Sequence, residues 1–203
     1  MKKILLFGNS GHAKVVRSAA ESTGSEIAGY FEKEKIKSSD LLYLGDESEQ
    51  QFDNLKNNFF FAAIGSNSIR RKVHAFADHH SLELCSISDK SALIAKDVKI
   101  DRGSLIAPGA IVNAGSELKE GIIINSGAII EHDCTIGAFT HVAPGAILLG
   151  GVTVGENCFI GAGSVIKEGV TLSSDVIIGA GSVVLESIHT AGTWVGSPAK
   201  KIR

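Results

Sequence analysis

His132 stands between two carboxylates, Glu131 and Asp133. An imidazole ordinarily titrates at about 6.5, so it takes up and releases protons near neutrality. A neighbouring carboxylate orients the ring and stabilises its charged form. The trio therefore suits a general base. An exposed histidine between two surface acids has the same sequence, and the residues alone leave both readings open. His141, nine residues on, reads as a second participant or as a surface or interface residue. Two glycine-containing loops suggest a different task. Gly8-Asn9-Ser10-Gly11-His12 follows an apolar run and opens a helix, and Gly65-Ser66-Asn67 follows another and leads into Ile69-Arg70-Arg71-Lys72. Backbone N–H groups at such loops hold phosphate, and Arg70 could meet one. The first loop lacks the third glycine of the full dinucleotide fingerprint, and the three basic residues equally suit a solvated helix face.

Other reactive residue types carry less. Cys85, Cys134 and Cys158 are odd in number and widely spaced, which argues against a disulfide framework, a zinc site or a covalent nucleophile. His74, His79 and His80 fall on or just after the second helix and are expected to be solvated, and His189 lies in the tail. No histidine pair has ligand spacing on one face, so no metal is expected.

The elements that must carry these residues differ in the two parts of the chain. From Ala92 to Ser187 the sequence divides into sixteen consecutive hexads without insertion. The third position is always Ile, Val or Leu, the first is mostly small, and the sixth is often Gly, Asp or Asn. Period six excludes an α-helix, whose apolar stripe recurs at about 3.6 residues. It fits a short strand and a tight corner, with three such faces closing a triangular coil of eighteen residues. A single coil cannot bury its own aliphatics, so the coils must stack. Residues 89–203 are thus expected to form a β-solenoid with a C-terminal tail, in which Trp194 packs.

Residues 1–88 show no hexads. Lys3–Phe7, Ile27–Phe31, Phe59–Ile64 and Leu82–Ile87 read as strands, with a short one around Leu41–Leu44. Ala13–Glu21 and Ile69–His80 read as helices. Alternation of strands and helices predicts a small Rossmann-like α/β domain with a parallel sheet. Ligands in such sheets sit beyond the carboxyl ends of the strands, where both glycine loops fall.

A formal net charge of −2 gives no case for nucleic acid or an acidic membrane surface. No apolar run is long enough to span a bilayer, and the N-terminal one is too short for a signal-peptide core. Unpaired cysteines fit a cytoplasmic location.

The GxxGH loop, the Gly-x-Asn-x-x-Arg loop, hexads containing Glu-His-Asp and the ending Gly196-Ser197-Pro198-Ala199-Lys200 together resemble the sialic acid O-acetyltransferase (NeuD) family and its PglD-type nucleotide-sugar N-acetyltransferase relatives, within the hexapeptide-repeat acyltransferases. The resemblance covers essentially the whole chain. It implies a left-handed parallel β-helix, a homotrimer, acetyl-CoA as co-substrate in the groove between prisms, and a nucleotide-sugar on the front domain. It further implies that His132 is the catalytic histidine with Asp133 behind it, and that His141 and Asn125 lie in the same pocket. Gly150 would offer a backbone donor to the thioester carbonyl, and Gly161, Gly179 and Pro198 would line the cofactor groove. Gly8, Ser10, Gly11, His12, Glu32, Gly65, Asn67 and Arg70 would hold the substrate. Glu32 stands where the family often has an Asp pair.

The reading that follows is direct transfer of acetyl to the amino group of a nucleotide-linked amino sugar (4-amino-deoxy) in surface glycan synthesis. Sugar O-acetylation of the sialic acid type and a non-catalytic sugar-nucleotide-binding solenoid are the alternatives.

Overall fold

A computed structural model describes residues 3–203; Met1 and Lys2, the start of the basic N-terminus, lie outside the described residues. Strands β1 (Ile4–Phe7), β2 (Ile27–Phe31) and β3 (Phe59–Ala62) form a parallel sheet in the order β2-β1-β3. Alternation along β1 sends Ile4 and Leu6 to one core cluster and Leu5 and Phe7 to the other. Helix α1 (Gly11–Ser22) buries Ala13, Val16, Ala19 and Ala20 in the first. Helix α2 (Asn67–His79) buries Val73 and Ala77 in the second, among Phe7, Phe31, Phe52 and Phe60. Each such phenyl contributes about 1.5–3 kcal/mol by leaving water.

The strand expected at Leu82–Ile87 does not form. Leu84 makes one isolated bridge to Phe60, and Ile87–Ser88 pairs with Leu105–Ile106 of the solenoid. The run serves two masters: Leu82 and Leu84 pack into the front core, whereas Ile87 packs in the cluster shared with the solenoid. Around Leu41–Leu44 only a bridge from Tyr43 to Tyr30 remains.

The hexads form a left-handed parallel β-helix. Positions two and three of each lie in a short strand, of two residues except at Val176–Ile178, and every strand up to Val165–Ile166 pairs in parallel with the one eighteen residues on, as Ile123–Ile124 does with His141–Val142. From Ile106 onward the third-position residues are buried in one continuous column. Every sixth position from Gly103 to Gly181 has a left-handed backbone, which glycine adopts without cost. Asp133, Phe139, Asn157 and Asp175 adopt it too. Asp and Asn tolerate it; for the bulky Phe139 it is costly, on the order of 1–3 kcal/mol, and needs support from its surroundings.

Second-position residues point outward, and with a stride of eighteen they give each side of the prism its own character. One side carries Ile87, Leu105, Ile123, His141, Phe159 and Ile177. The front domain lies on its first coils, so Ile87, Leu105 and Ile123 are buried against Leu6, Val16 and Phe61. The next side carries Leu93, Ile111, Ile129, Ile147, Val165 and Val183, all aliphatic, all partly or fully exposed. The third carries Lys99, Glu117, Thr135, Thr153 and Thr171. These are the covered, aliphatic and polar faces. Among the described residues no helix is long and apolar enough to cross a membrane.

Candidate active site

His132 occupies the corner where the aliphatic face turns into the polar one. Its Nδ1 lies 2.9 Å from Asp133 Oδ2. An ionised carboxylate only accepts, so Nδ1 carries the proton and the Nε2 lone pair is left free. Asp133 is held in turn: its left-handed backbone closes the corner, and its N–H donates to Ala114 O at 2.9 Å. Glu131 is tied elsewhere, accepting from Asn113 Nδ2 at 3.0 Å. Directly beside the ring is Gly150. A Cβ built there would lie 2.5 Å from His132 Nε2, so the imidazole rests on bare backbone. The Gly150 N–H makes no hydrogen bond among the described residues, and its residue lies directly beside the imidazole. A proton acceptor and an amide donor thus share one exposed corner, where the histidine side chain is 65% accessible.

A second group assembles under the front domain. His141 points outward from the covered face but is only 8% exposed, because the β3–α2 loop and His12 lie over it. Part of the same chain, the front domain, thus covers it. The rings of His12 and His141 have centroids 6.2 Å apart. His141 Nε2 is 3.0 Å from Asn125 Nδ2, which donates, so the free proton of the neutral ring sits on Nδ1. His141 Nδ1 and His12 Nε2 are buried without a hydrogen-bond partner. Burial pushes the pKa of both imidazoles down to about 4, and the nearby Arg70 charge pushes the same way. Both rings are neutral at pH 7, and the Gly65 carbonyl faces His141.

Arg70 does not face a phosphate. It is fully buried, and all five N–H donors are engaged: Nε with Gly121 O (2.6 Å), Nη1 with Ile64 O (3.1 Å) and Gly65 O (3.2 Å), Nη2 with Phe139 O (2.9 Å) and Asn67 Oδ1 (3.0 Å). Asn67 is likewise a link between the two parts, its Nδ2 donating to Cys158 O at 2.9 Å. Nor is His74 solvated: it is 2% exposed, its Nδ1 is 2.9 Å from Glu120, and its ring meets Phe139 edge-on. The spacing held the signal. Arg70, Val73, His74 and Ala77 fall at i, i+3, i+4 and i+7, the buried stripe of α2.

The remaining loop residues lie together. Gly8 has φ +88° and turns the chain out of β1. Ser10 caps α1 without a side-chain hydrogen bond, which leaves the first N–H groups of Gly11 and His12 for another acceptor. Glu32 accepts from the Asn9 N–H at 3.2 Å, so its longer side chain reaches the glycine loop. Asn125, Gly161 and Gly179 stack at the corner between the covered and aliphatic faces, followed in the tail by Pro198 beside a cavity of about 370 Å³. Gly161 has a structural reason as well, since a Cβ would meet the next coil's backbone at 2.5 Å. Trp194 packs on the solenoid core. Cys134 and Cys158 are buried with thiol pKa values raised by burial, and Cys85 is pushed up to about 12. A buried thiol held in its protonated form is a poor nucleophile. Among the described residues no cluster could hold a metal ion.

Two groups of polar residues therefore flank the aliphatic face: His132, Asp133 and Gly150 stand towards one edge, and Asn125, His141, His12 and Gly65 towards the other. The strand Ile129–Ile130 runs between them, and the intervening hexad spans at most about 20 Å.

Residues 3–75 match the PglD N-terminal domain family, residues 133–168 the bacterial transferase hexapeptide (six repeats), and residues 151–186 the hexapeptide repeat of succinyl-transferase. Among solved structures, the acetyltransferase domain of PglB from Neisseria gonorrhoeae FA1090 is 31% identical with a TM-score of 0.93, each chain covered in full. That domain has also been solved with acetyl coenzyme A. PerB from Caulobacter crescentus, in complex with CoA and GDP-perosamine, is 32% identical with a TM-score of 0.94, over 100% of this chain and 98% of that one.

Proposed function

The chain belongs to the PglD-type nucleotide-sugar N-acetyltransferases of the hexapeptide-repeat superfamily, and from that membership and the two half-sites we propose how it moves acetyl from acetyl-CoA to the amino group of a nucleotide-linked amino sugar. The observation that carries the mechanism is a histidine, oriented by a carboxylate, lying against an open backbone amide. His132 Nε2 takes the proton of the sugar amine as its nitrogen attacks the acetyl carbon. The Gly150 N–H donates to the developing oxyanion. Amide donors preorganised in this way contribute about 2.7–4 kcal/mol. The tetrahedral intermediate collapses, the C–S bond breaks, and His132 returns the proton to the CoA sulfur. No acetyl-enzyme is formed.

A complete site needs both half-sites, and the aliphatic face supplies the means. Six stacked aliphatics with nothing over them favour self-association. Three copies closing head-to-tail about an axis beside this face would set the His132 edge of one against the His141 edge of the next. The acceptor sugar, held by the front domain, would then reach the neighbour's His132, with the cofactor along the column of Asn125, Gly161 and Gly179. The α1 N-terminus and Gly8, with Glu32 beside them, suit the nucleotide. Both co-substrates belong to the cytoplasm, and a 4-amino sugar destined for a surface glycan is the acceptor we favour.

The test is acetyl-CoA consumption against a panel of nucleotide-linked 4-amino sugars, nucleotide-linked hydroxy sugars and free sialic acids. N-acetylation of an amino sugar supports the proposal. Turnover only with hydroxyl acceptors, or none with any member, overturns it.

A further inference from the structure

Arg70 is a buried cation with no carboxylate against it. Burial is the cause that shifts its pKa, down to about 10. A charge in that setting is a poor way to hold two domains together, since an apolar side chain of similar volume often stabilises as well or better. What the guanidinium does that an apolar group could not is bind five acceptors in a fixed plane.

Those acceptors are not scattered. Gly121 and Phe139 are sixth-position residues of consecutive coils, one above the other at the corner between the polar and covered faces. The strands they introduce carry Ile123 and His141. Ile64 and Gly65 belong to the front-domain loop, and Asn67 opens α2 and reaches Cys158 one coil further on. Gly65 in turn lies against both histidines. A Cβ there would be 3.9 Å from His12 Cγ, and its carbonyl faces His141. Phe139, the bulky residue in a left-handed corner, is the one whose carbonyl Arg70 holds. Arg71 lies over its ring at 4.8 Å and His74 packs on it edge-on.

We propose that Arg70 is a positioning residue for the transfer: by tying Gly65 to the coils of Gly121 and Phe139, it fixes where the His12–His141 pair stands against the acceptor. The charged or titratable groups acting on His141 are Arg70 and His12, and on His12 the acting charge is Arg70. Burial is the main cause that keeps the pair uncharged, and the Arg70 charge adds to it. This rests on the acetyl-transfer reading above, but part of its test does not.

The experiment compares the full-length wild type with Arg70→Lys and Arg70→Met, with kcat normalised to folded protein by CoA-binding stoichiometry. Imidazole titrations are followed by NMR and assigned with His12→Asn and His141→Asn. Arg70→Lys keeps the charge and loses the fork. It is expected to lower kcat at least tenfold, leave the KM for acetyl-CoA within about twofold, and leave both histidine midpoints near 4. Arg70→Met loses both, and both midpoints are expected to move upward, since a nearby positive charge disfavours imidazolium. Wild-type kcat in folded Arg70→Lys overturns the proposal, as do unmoved midpoints in Arg70→Met. If Arg70→Met does not fold, the Arg70→Lys rate still decides. If the wild type transfers acetyl to no amino sugar, the functional reading fails instead, while the midpoints remain readable.

Discussion

Gly150→Ala separates the chemistry of the corner from its stability. The new Cβ would lie 2.5 Å from His132 Nε2, 2.6 Å from Cε1 and 3.2 Å from Cδ2. Ordinary carbon contacts need about 3.5–4.0 Å, so the ring must withdraw by about 1 Å. It has room to do so, because the side chain is largely exposed. The displaced rotamer costs about 0.5–1.5 kcal/mol, and Gly150 has no left-handed backbone, so loss of glycine freedom in the unfolded chain returns about 0.4–1 kcal/mol. Net stability should change by less than about 1 kcal/mol. Catalysis is less forgiving: a 1 Å misplacement costs about 100-fold, or about 2.7 kcal/mol of barrier. The amide donor survives the substitution. Steady-state thiol release from acetyl-CoA, with melting curves alongside, should therefore show kcat down about 100-fold with little change in Tm. In a His132→Ala background the same substitution should add nothing, because the ring it displaces is gone. Wild-type kcat in Gly150→Ala, or a further 100-fold loss in the double variant, refutes the reasoning.

His132→Ala should lower turnover at least 100-fold with acetyl-CoA binding retained, measured by calorimetry, and Asp133→Asn should lower it less because the base remains. Acid stability should follow the buried histidines. His141 binds its proton at about 4 in the folded chain and at about 6.5 when unfolded, so the unfolded state holds more protons between those limits. Stability from this source is complete above pH 6.5 and falls as pH drops to 4, by roughly 3 kcal/mol. Urea midpoints across that range should slope less in His141→Asn, and an equal slope counts against the assignment. Ile147→Asp, on the aliphatic face, should yield inactive monomers in sedimentation, whereas Thr153→Asp on the polar face should not; a monomeric wild type sinks the shared-site scheme. Mixing His132→Ala with His141→Asn chains under subunit exchange should restore active sites, about a quarter of them at equal amounts with random assembly, because one junction in four pairs the two intact edges.

The solenoid was legible because its signal repeats. Third-position aliphatics at period six leave no other regular structure, and the corners confirm it residue by residue: even Asp133, Asn157 and Asp175 sit where the period requires a left-handed turn. The front domain was harder to read at its end. Leu82–Ile87 looks like a strand because Leu82, Leu84 and Ile87 are buried, yet they are buried in two different cores. Period and burial cannot separate one destination from two. His74 and Arg70 were misjudged for a related reason. Charged and polar residue types suggested a wet helix face, although their spacing with Val73 and Ala77 already marked the buried stripe.

The groups that make up the proposed site could be read from the sequence one at a time, but not their pairing. The pairing of His12 with His141 depends on how the front domain sits on the covered face, which no local pattern states. The character of the three faces was in the sequence at a longer stride. Reading every eighteenth residue gives Leu93, Ile111, Ile129, Ile147, Val165 and Val183 on one side and Lys99, Glu117, Thr135, Thr153 and Thr171 on another. A lone solvated prism has no use for the first ladder, since each aliphatic left facing water forgoes up to about 1.5–3 kcal/mol. Its two edges carry the proton acceptor and the buried histidine pair. On the proposed scheme, burying that ladder against copies of the chain and completing the reaction centre would be one event, and assembly would be a condition of catalysis.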